Sequence, residues 1–514
     1  MQIHPSTPTP RARNKLALLF IIIALLVITL DNTILNVALP SISGHLGASS
    51  SQLQWIVDSY VLVLAALLLT MGYLGDRLGR KPFLLAGLVL FALFSLGAAL
   101  SPSTWFLVTM RGLMGAAAAL IMPSTLSILT ATFPDPRERA RAIALWSATF
   151  GLGLGIGPLL GGWLLEHFNW QAIFYLNLPL AAVGFIGIGC WARNSRAARP
   201  HPLDAGGVLL SIAGLFALVY ALIQAGSDGW LSPEVLLGFG LAALLLTAFV
   251  LREVRSRFPM LPLGLFRNRS FSGANLALTL VYFVLFGVFF FLSQFLQSVQ
   301  GYTPLEAGIR VLPIAGTTFL FAALSAGIAA RIGTRYTAAL GIFFSGAGLY
   351  YFSRVAGVDS DYGLLAAGMC IISAGIGLSV SPLTNSIMGS VPLDRAGVGA
   401  ATNDTTRQVG GALGVAILGT LLNFRYLEHM DHLNVMALLP SRLSDVALSG
   451  VQGANLTAAS LSDPSLSGAL SAGARSAFTS GMINALEVAA AVMLVTALVT
   501  LFLLPNRIQR SLDQ

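Results

Sequence analysis

Charge is what this 514-residue chain has least of. Asp, Glu, Lys and Arg together make up 10% of it against 56% hydrophobic residues, and its mean hydropathy is +0.80. A soluble domain of that composition would precipitate, which excludes an ordinary globular protein and indicates an integral membrane protein. Lysine is nearly missing: Lys15 and Lys81 stand alone among 29 basic residues. The net charge of +8 would suit nucleic acid only if a basic face existed on a soluble domain, and none is available. Cysteine is limited to Cys190 and Cys370, both in apolar segments, which offers neither a disulfide framework nor a metal site. The histidines (His4, His45, His167, His201, His429 and His432) all fall in loops or tails, so the clustered groups of an enzyme centre are missing. No G-x-x-x-x-G-K-[ST] loop occurs, so no ATP site and no cofactor is expected.

What is present is a series of apolar runs near twenty residues long, the length of a membrane-spanning helix. They lie at about 16–38, 52–72, 82–101, 105–128, 140–163, 169–191, 206–226, 232–252, 272–297, 305–327, 335–355, 362–388, 397–424 and 482–505. The run at 335–355 is the weakest, being rich in Gly and Ala. A cleaved signal peptide would have a shorter apolar core than 16–38 and would not carry Asp31. With the N-terminus placed in the cytoplasm, 22 basic residues fall in inward gaps and tails and only Arg354, Arg425, Arg442 and Arg475 in outward ones. Both termini are therefore expected to be cytoplasmic.

Two short stretches suggest an internal repeat. "GYLGDRLGRKP" (72–82) follows span 2 and "AARIGTRY" (329–336) follows span 10; placing Gly79 on Gly333 also aligns Arg77 with Arg331 and Lys81 with Arg335. The expected division is a tail (1–15), a six-helix half (16–191), two inserted helices with cytoplasmic linkers (192–271), a second six-helix half (272–505) and a tail (506–514). The second half includes an outward-facing loop at 425–481. Repeated six-helix halves around a central cavity are a transporter architecture.

The motifs make this specific. Gly72, Asp76, Arg77, Gly79, Arg80 and Lys81 match the G-x-x-x-D-R-x-G-R-K loop of the major facilitator superfamily, which the chain therefore resembles. In family terms this is a gating loop, in which Asp76 faces the positive N-terminal end of the penultimate span, "DRAGVGAATN" (394–403). Span 5 carries "GLGLGIGPLLGGWL" (151–164), where Gly153, Gly157 and Gly161 form a flat stripe and Pro158 invites a kink. That stretch resembles the antiporter motif of the superfamily. The segments 157–180, 397–420 and "LQWIVDSYVL" (53–62) are similar to the fourteen-span drug:proton antiporters, including exporters of quaternary ammonium and other lipophilic cations. The resemblance implies an all-α membrane fold of fourteen helices, two six-helix halves plus two inserted central helices. One departure is at span 4, where R-x-x-Q-G reads Arg111-Gly112-Leu113-Met114-Gly115 and methionine replaces glutamine.

A charged side chain at bilayer depth costs about 2.5–3.5 kcal/mol on insertion scales, so each one needs a reason. Counting helical rise places Asp31, Asp58 and Arg111 about 9–11 Å beneath the outer surface, in one layer facing one cavity. Asp31 with Arg111 is expected to carry the proton, and Asp58 to face a lipophilic cation. Trp55, Tyr60 and Phe286 are further candidates for substrate contact, the first two through their ring faces. Asp404 and Arg407 are spaced for a local ion pair that is either structural or gating. Glu306 and Arg310 are expected to pair at the surface.

The function expected is proton-coupled multidrug efflux by alternating access. The protein would act as a monomer in the inner or plasma membrane, with protons, lipid and drug-like molecules as its only partners. Dedicated export of one metabolite, antibiotic or lipid is the alternative, and a non-transporting membrane enzyme or receptor a remote one. No nucleic acid, metal or cofactor is expected.

Overall fold

In the computed structural model, residues 10–48, 50–196 and 204–505 are described. Fourteen long helices account for most of them. The N-terminal half contains α1 (Pro10–Leu46), α2 (Ser50–Leu78), α3 (Arg80–Ala99), α4 (Thr104–Thr132), α5 (Pro136–His167) and α6 (Asn177–Trp191, preceded by a turn of helix at Ala172–Tyr175). Then come α7 (Ala205–Asp228) and α8 (Pro233–Arg255). The C-terminal half contains α9 (Arg269–Gln294), α10 (Pro304–Ile332), α11 (Thr334–Val355), α12 (Tyr362–Gly389), α13 (Ala396–Asp431) and α14 (Pro464–Leu503). Thirteen spans among the described residues are long and apolar enough to cross a membrane; the Gly/Ala-rich α11 has the length alone. Helices satisfy their backbone groups internally, which is why apolar runs take this form in lipid. Polar loop residues cap their ends: the side chain of Asp135 accepts from the backbone N–H of Arg137 and Glu138 at α5, and Thr303 and Glu306 form a reciprocal capping box at α10.

The two halves repeat in structure as well as in sequence. Gly79 and Gly333 both take positive φ, +112° and +92°, immediately before α3 and α11, a conformation glycine adopts without steric cost. Within the halves, α1 packs on α5 as α9 packs on α13, and α2 on α4 as α10 on α12. The halves meet along two seams that are counterparts of each other, α2 with α13 and α5 with α10. The inserted α7 lies against both α2 and α13 and so braces the first seam from outside. Its contacts run along the helix: Trp55 of α2 stacks on Tyr220 at 6.3 Å, and the hydroxyls of Thr70 and Ser211 lie 3.3 Å apart. Trp230, just after α7, donates to Thr420 of α13 at 3.0 Å.

Several boundaries differ from the sequence reading. Helix α1 begins at Pro10, so residues 10–15 are helix rather than tail. Residues 1–9, 197–203 and the tail 506–514 lie outside the described residues. The segment 425–481 is mostly helical, because α13 continues to Asp431 and α14 starts at Pro464, with short helices at Ser441–Leu448 and Val451–Ser460 between them. The second of these, Val451–Ser460, packs against the end of α9, which finishes in one π-helical turn, Phe295–Val299. Carbonyl oxygens of that turn accept from the Asn455 amide (3.0 Å, at Ser298) and from Arg475 (at Val299). Glu306 and Arg310 do not pair as expected. Glu306 is used in the capping box, while the Arg310 guanidinium lies 3.7 Å from the Tyr302 ring centroid.

Candidate functional site

Among the described residues, ion pairs whose two side chains are both buried occur in three places. The first joins α1 to α4 and α6. Nη1 of Arg111 donates to Oδ2 of Asp31 at 2.5 Å, and Nδ2 of Asn177 donates to Oδ1 at 2.8 Å. Asp31, Arg111 and Asn177 are 4%, 1% and 0% exposed, so no solvent shares the charge. The amide of Asn177 also reaches Ser95 of α3 at 3.0 Å, and Ser95 donates to the Phe174 carbonyl at 2.8 Å. Arg111 is further fixed by donating to the Ile56 carbonyl at 3.2 Å and by lying 4.4 Å from the Tyr60 ring centroid. Two side chains, Arg111 and Asn177, thus hold one carboxylate where three helices meet, and Ser95 holds the amide. Asn177 and Ser95 escape a sequence reading guided by charge; the only signal is an amide in the apolar run "FYLNLPL".

Asp58 does not join this cluster. It is half-buried with Gln54 as its polar neighbour, and among the described residues it takes part in no ion pair. The expected single layer of three compensating charges is therefore corrected to a pair, Asp31 with Arg111, and a separate carboxylate. The reason is rotational, since equal depth on different helices does not fix which way each side chain faces. The flanking rings are engaged as well: Tyr60 is fully buried beneath Arg111, and Trp55 stacks on Tyr220. Phe286 packs edge-on to Tyr282 at 5.6 Å and against Gly411.

The second cluster closes the α2–α13 seam. Asp76 accepts from the backbone N–H of Gly397 (2.8 Å) and Val398 (3.1 Å), the first free donors of α13. Arg80 donates to Asp76 and to the Leu393 carbonyl, both at 2.7 Å, and is only 2% exposed. Beside them Gly72 packs directly on Gly397 and Ala401. Lys81 donates to the Gly189 carbonyl at 2.7 Å, which ties the start of α3 to α6. Arg77 is partly exposed.

Helix α5 has two glycine faces. Gly153, Gly157 and Gly161 face Thr29, Thr33 and Ile34 of α1, and Thr33 donates to the Gly153 carbonyl at 3.0 Å. Gly151, Gly155 and Gly162 instead face Thr318, Ala315 and Leu305 of α10, with Pro158 against Gly308. The first stripe lies inside one half and the second forms the seam between halves. Gly410 and Gly414 of α13, each 257 residues beyond Gly153 and Gly157, pack on α9 in the same manner.

The third cluster belongs to α13. Asp404 and Arg407 lie 3.7 Å apart, both buried, and Asn403 donates to Asp404 at 3.0 Å. The Arg407 guanidinium sits 3.7 Å from the Phe150 centroid and 4.5 Å from that of Tyr282. Both rings line a cavity bounded by α5, α9, α10, α11, α12 and α14.

The chain is similar to known proteins in sequence and in fold. A family model described as Major Facilitator Superfamily matches residues 21–415. The multidrug efflux pump LfrA of Mycolicibacterium smegmatis is 35% identical over 495 residues, covering 96% of this chain and 97% of that protein. The tetracenomycin C resistance and export protein of Streptomyces glaucescens is 33% identical over 504 residues, covering 97% and 93%. The multidrug resistance protein Stp of Mycobacterium tuberculosis is 35% identical over 412 residues, covering 80% and 76%. Among solved structures, the human organic anion transporter MFSD10 (TETRAN) superposes with a TM-score of 0.61 at 15% identity, over 96% of this chain and 100% of that one.

Proposed function

The chain belongs to the major facilitator superfamily, and we propose that it exports lipophilic drug-like compounds in exchange for protons by alternating access. The observation that carries the coupling is the buried Asp31–Arg111 pair held by Asn177. A buried carboxylate has two stable conditions, ionised with its guanidinium or protonated without it. Protonation of Asp31 from outside removes the charge that anchors Arg111 and loosens the tie between α1 and α4. Release of the proton to the inside restores it. Asp31 is also on the helix that rests on the first glycine stripe of α5, while the second stripe forms the seam with α10. Loosening of α1 is thereby passed to the boundary between the halves. The Asp76 contact with α13 acts as the cytoplasmic latch of this cycle, broken when the halves rock apart.

Asp58 is the counter-charge for cationic cargo. Nothing in this cycle calls for a cofactor, a metal or bond-making chemistry, so the protein acts as a transporter and not as an enzyme. We place it as a monomer in the inner or plasma membrane, both termini cytoplasmic, with halves 16–191 and 272–505 around the insertion 192–271. Support comes from the multi-pass helices, the arginine-rich inward gaps and relatives named as efflux pumps. A second reading, export of one dedicated compound, is favoured by relatives named for a single antibiotic, such as the tetracenomycin C protein. A susceptibility panel in an efflux-deficient strain separates the two. Raised tolerance to several unrelated drugs supports multidrug export, and tolerance to a single chemical family supports the dedicated exporter.

A further inference from the structure

We propose that Glu253 and Asp204 share one proton, and that this proton pins the linker between α8 and α9 (256–268) across the α2–α13 seam. The site belongs to the inserted helices and makes no use of the cargo or of Asp31.

The linker lies on the seam through two apolar side chains. Met260 and Leu261 are 1% and 8% exposed. They share one apolar cluster with Leu69 and Tyr73 of α2 and with Val398 and Ala401 of α13, so the loop is joined to both halves. One carboxylate fixes its path. Oε2 of Glu253, near the end of α8, accepts from the buried backbone N–H of Leu261 at 2.8 Å. A buried N–H that loses its acceptor is costly, so the strap depends on Glu253 staying in place.

Glu253 is poorly placed for a charge. It is 3% exposed and enters no ion pair among the described residues. Its second oxygen, Oε1, has no hydrogen-bond partner. Asp204, which caps α7, has an oxygen in the same condition. Its Oδ1 accepts from the Gly207 N–H at 2.9 Å and from Nε of Arg252 at 2.7 Å, while the buried Oδ2 has no partner. The two orphan oxygens converge on Gly207: a β-carbon there would stand 2.9 Å from Oε1 and 3.0 Å from Oδ2.

Two buried carboxylates facing one spot do not both stay ionised, because like charges repel there. Asp204 keeps its charge, since the hydrogen bond from Arg252 holds its carboxyl below the usual range. Glu253 therefore carries the proton. Donated from Oε1 to Oδ2 of Asp204, it removes the repulsion and satisfies both orphans at once. A hard metal ion is a poorer answer: it needs about six oxygens, and the guanidinium on Asp204 opposes it. From α2 the pair faces the Tyr73 hydroxyl, which hydrogen-bonds the Asp204 backbone, with Arg77 one turn along. From α13 come the apolar Val398 and Ala401. As pH rises and the proton leaves, Glu253 swings toward solvent, Leu261 loses its acceptor and the linker lifts.

The test uses the purified full chain in detergent, where both faces share one pH. In a Cys190→Ser/Cys370→Ser/Asp31→Asn background, Met260→Cys reports the linker by its rate of maleimide labelling. Asp31→Asn removes the titration assigned to coupling. Each rate is divided by that of the same protein with Glu253→Gln, which cancels ionisation of the thiol. Glutamine keeps an acceptor for Leu261 and a donor for Asp204, so it stands in for the protonated acid. Between about pH 6 and about pH 9 the ratio rises from about one to about ten, the factor for one lost buried hydrogen bond. With Glu253→Ala the ratio is about ten at both pH values. A ratio that stays near one throughout overturns the proposal, as does a Glu253→Ala protein labelled no faster than Glu253→Gln. If Met260→Cys does not fold, infrared difference spectra of Glu253→Gln against the parent decide. A protonated-carboxyl band lost in the variant supports the shared proton, and identical spectra overturn it.

Discussion

Asp31 is held by a guanidinium at 2.5 Å and an amide at 2.8 Å inside a nearly solvent-free junction, and the two contacts have different consequences when removed. Arg111→Ala leaves a buried carboxylate uncompensated and is expected to destabilise the protein by roughly 3–5 kcal/mol, measured as thermal unfolding in detergent. Asp31→Asn keeps the shape and one hydrogen-bond acceptor, so folding survives while drug-driven proton movement is lost. Arg111→Lys retains charge but not the fork that reaches Asp31 and the Ile56 carbonyl together; transport is expected to fall although the protein folds. The pair was legible in the sequence because an ionised group in an apolar run must have a partner at matching depth. Asn177 and Ser95 were not, because neutral amides and hydroxyls occur in membrane helices for many reasons and carry no charge signature. Asp58 shows the limit of a depth count, which fixes height along a helix axis and leaves rotation about it open.

At the scale of the element, α5 packs on both α1 and α10 and is the transmission member of the proposed cycle. Its run "GLGLGIGPLLGGWL" displays glycine on more than one face, so the sequence revealed close packing without saying against which neighbour. The structure divides the glycines between α1 and α10, and each set gives its own prediction. A side chain at Gly155 meets Ala315 across the seam, so Gly155→Val is expected to block transport while leaving the Asp31 pair intact. A side chain at Gly153 would come within 2.6 Å of Thr29, so Gly153→Val displaces α1 itself and is expected to lower both thermal stability and proton coupling. Dye efflux and thermal unfolding, run on both variants, distinguish the two faces. The segment 425–481 lacks a span-length apolar run, so its Ser, Ala, Leu and Gly residues mark a loop able to hold short helices without showing how far α13 and α14 extend into it. The loop glycines were clearer, since a spacing of turn and charge repeated around Gly79 and Gly333 reflects one backbone requirement met twice.

For the whole molecule, two equivalent seams join the halves and only one is braced by inserted helices. The α2–α13 seam is closed by Asp76 and Arg80 at the end proposed to be cytoplasmic, and α7 supports it along its length. Asp76→Ala removes two charge-assisted hydrogen bonds at the start of α13 and is expected to open that end. In a background lacking Cys190 and Cys370, Ala401→Cys should then react at least several-fold faster with a membrane-impermeant maleimide applied to the cytoplasmic face. An unchanged labelling rate would show that the latch contributes little to the seal. The two-half architecture was legible from span count and loop charge. The bracing role of α7 was not, because a repeat argument says nothing of helices outside the repeat.

The central claim is that drug export is coupled to proton movement through Asp31. It is tested most directly with purified protein in liposomes containing a pH-sensitive dye, where an imposed ethidium gradient is the only driving force. The account predicts proton flux opposite to ethidium in the wild type and no ethidium-dependent proton flux with Asp31→Asn at equal protein incorporation. Ethidium-dependent proton flux of wild-type size in Asp31→Asn, or ethidium transport by the wild type without proton movement, would contradict it.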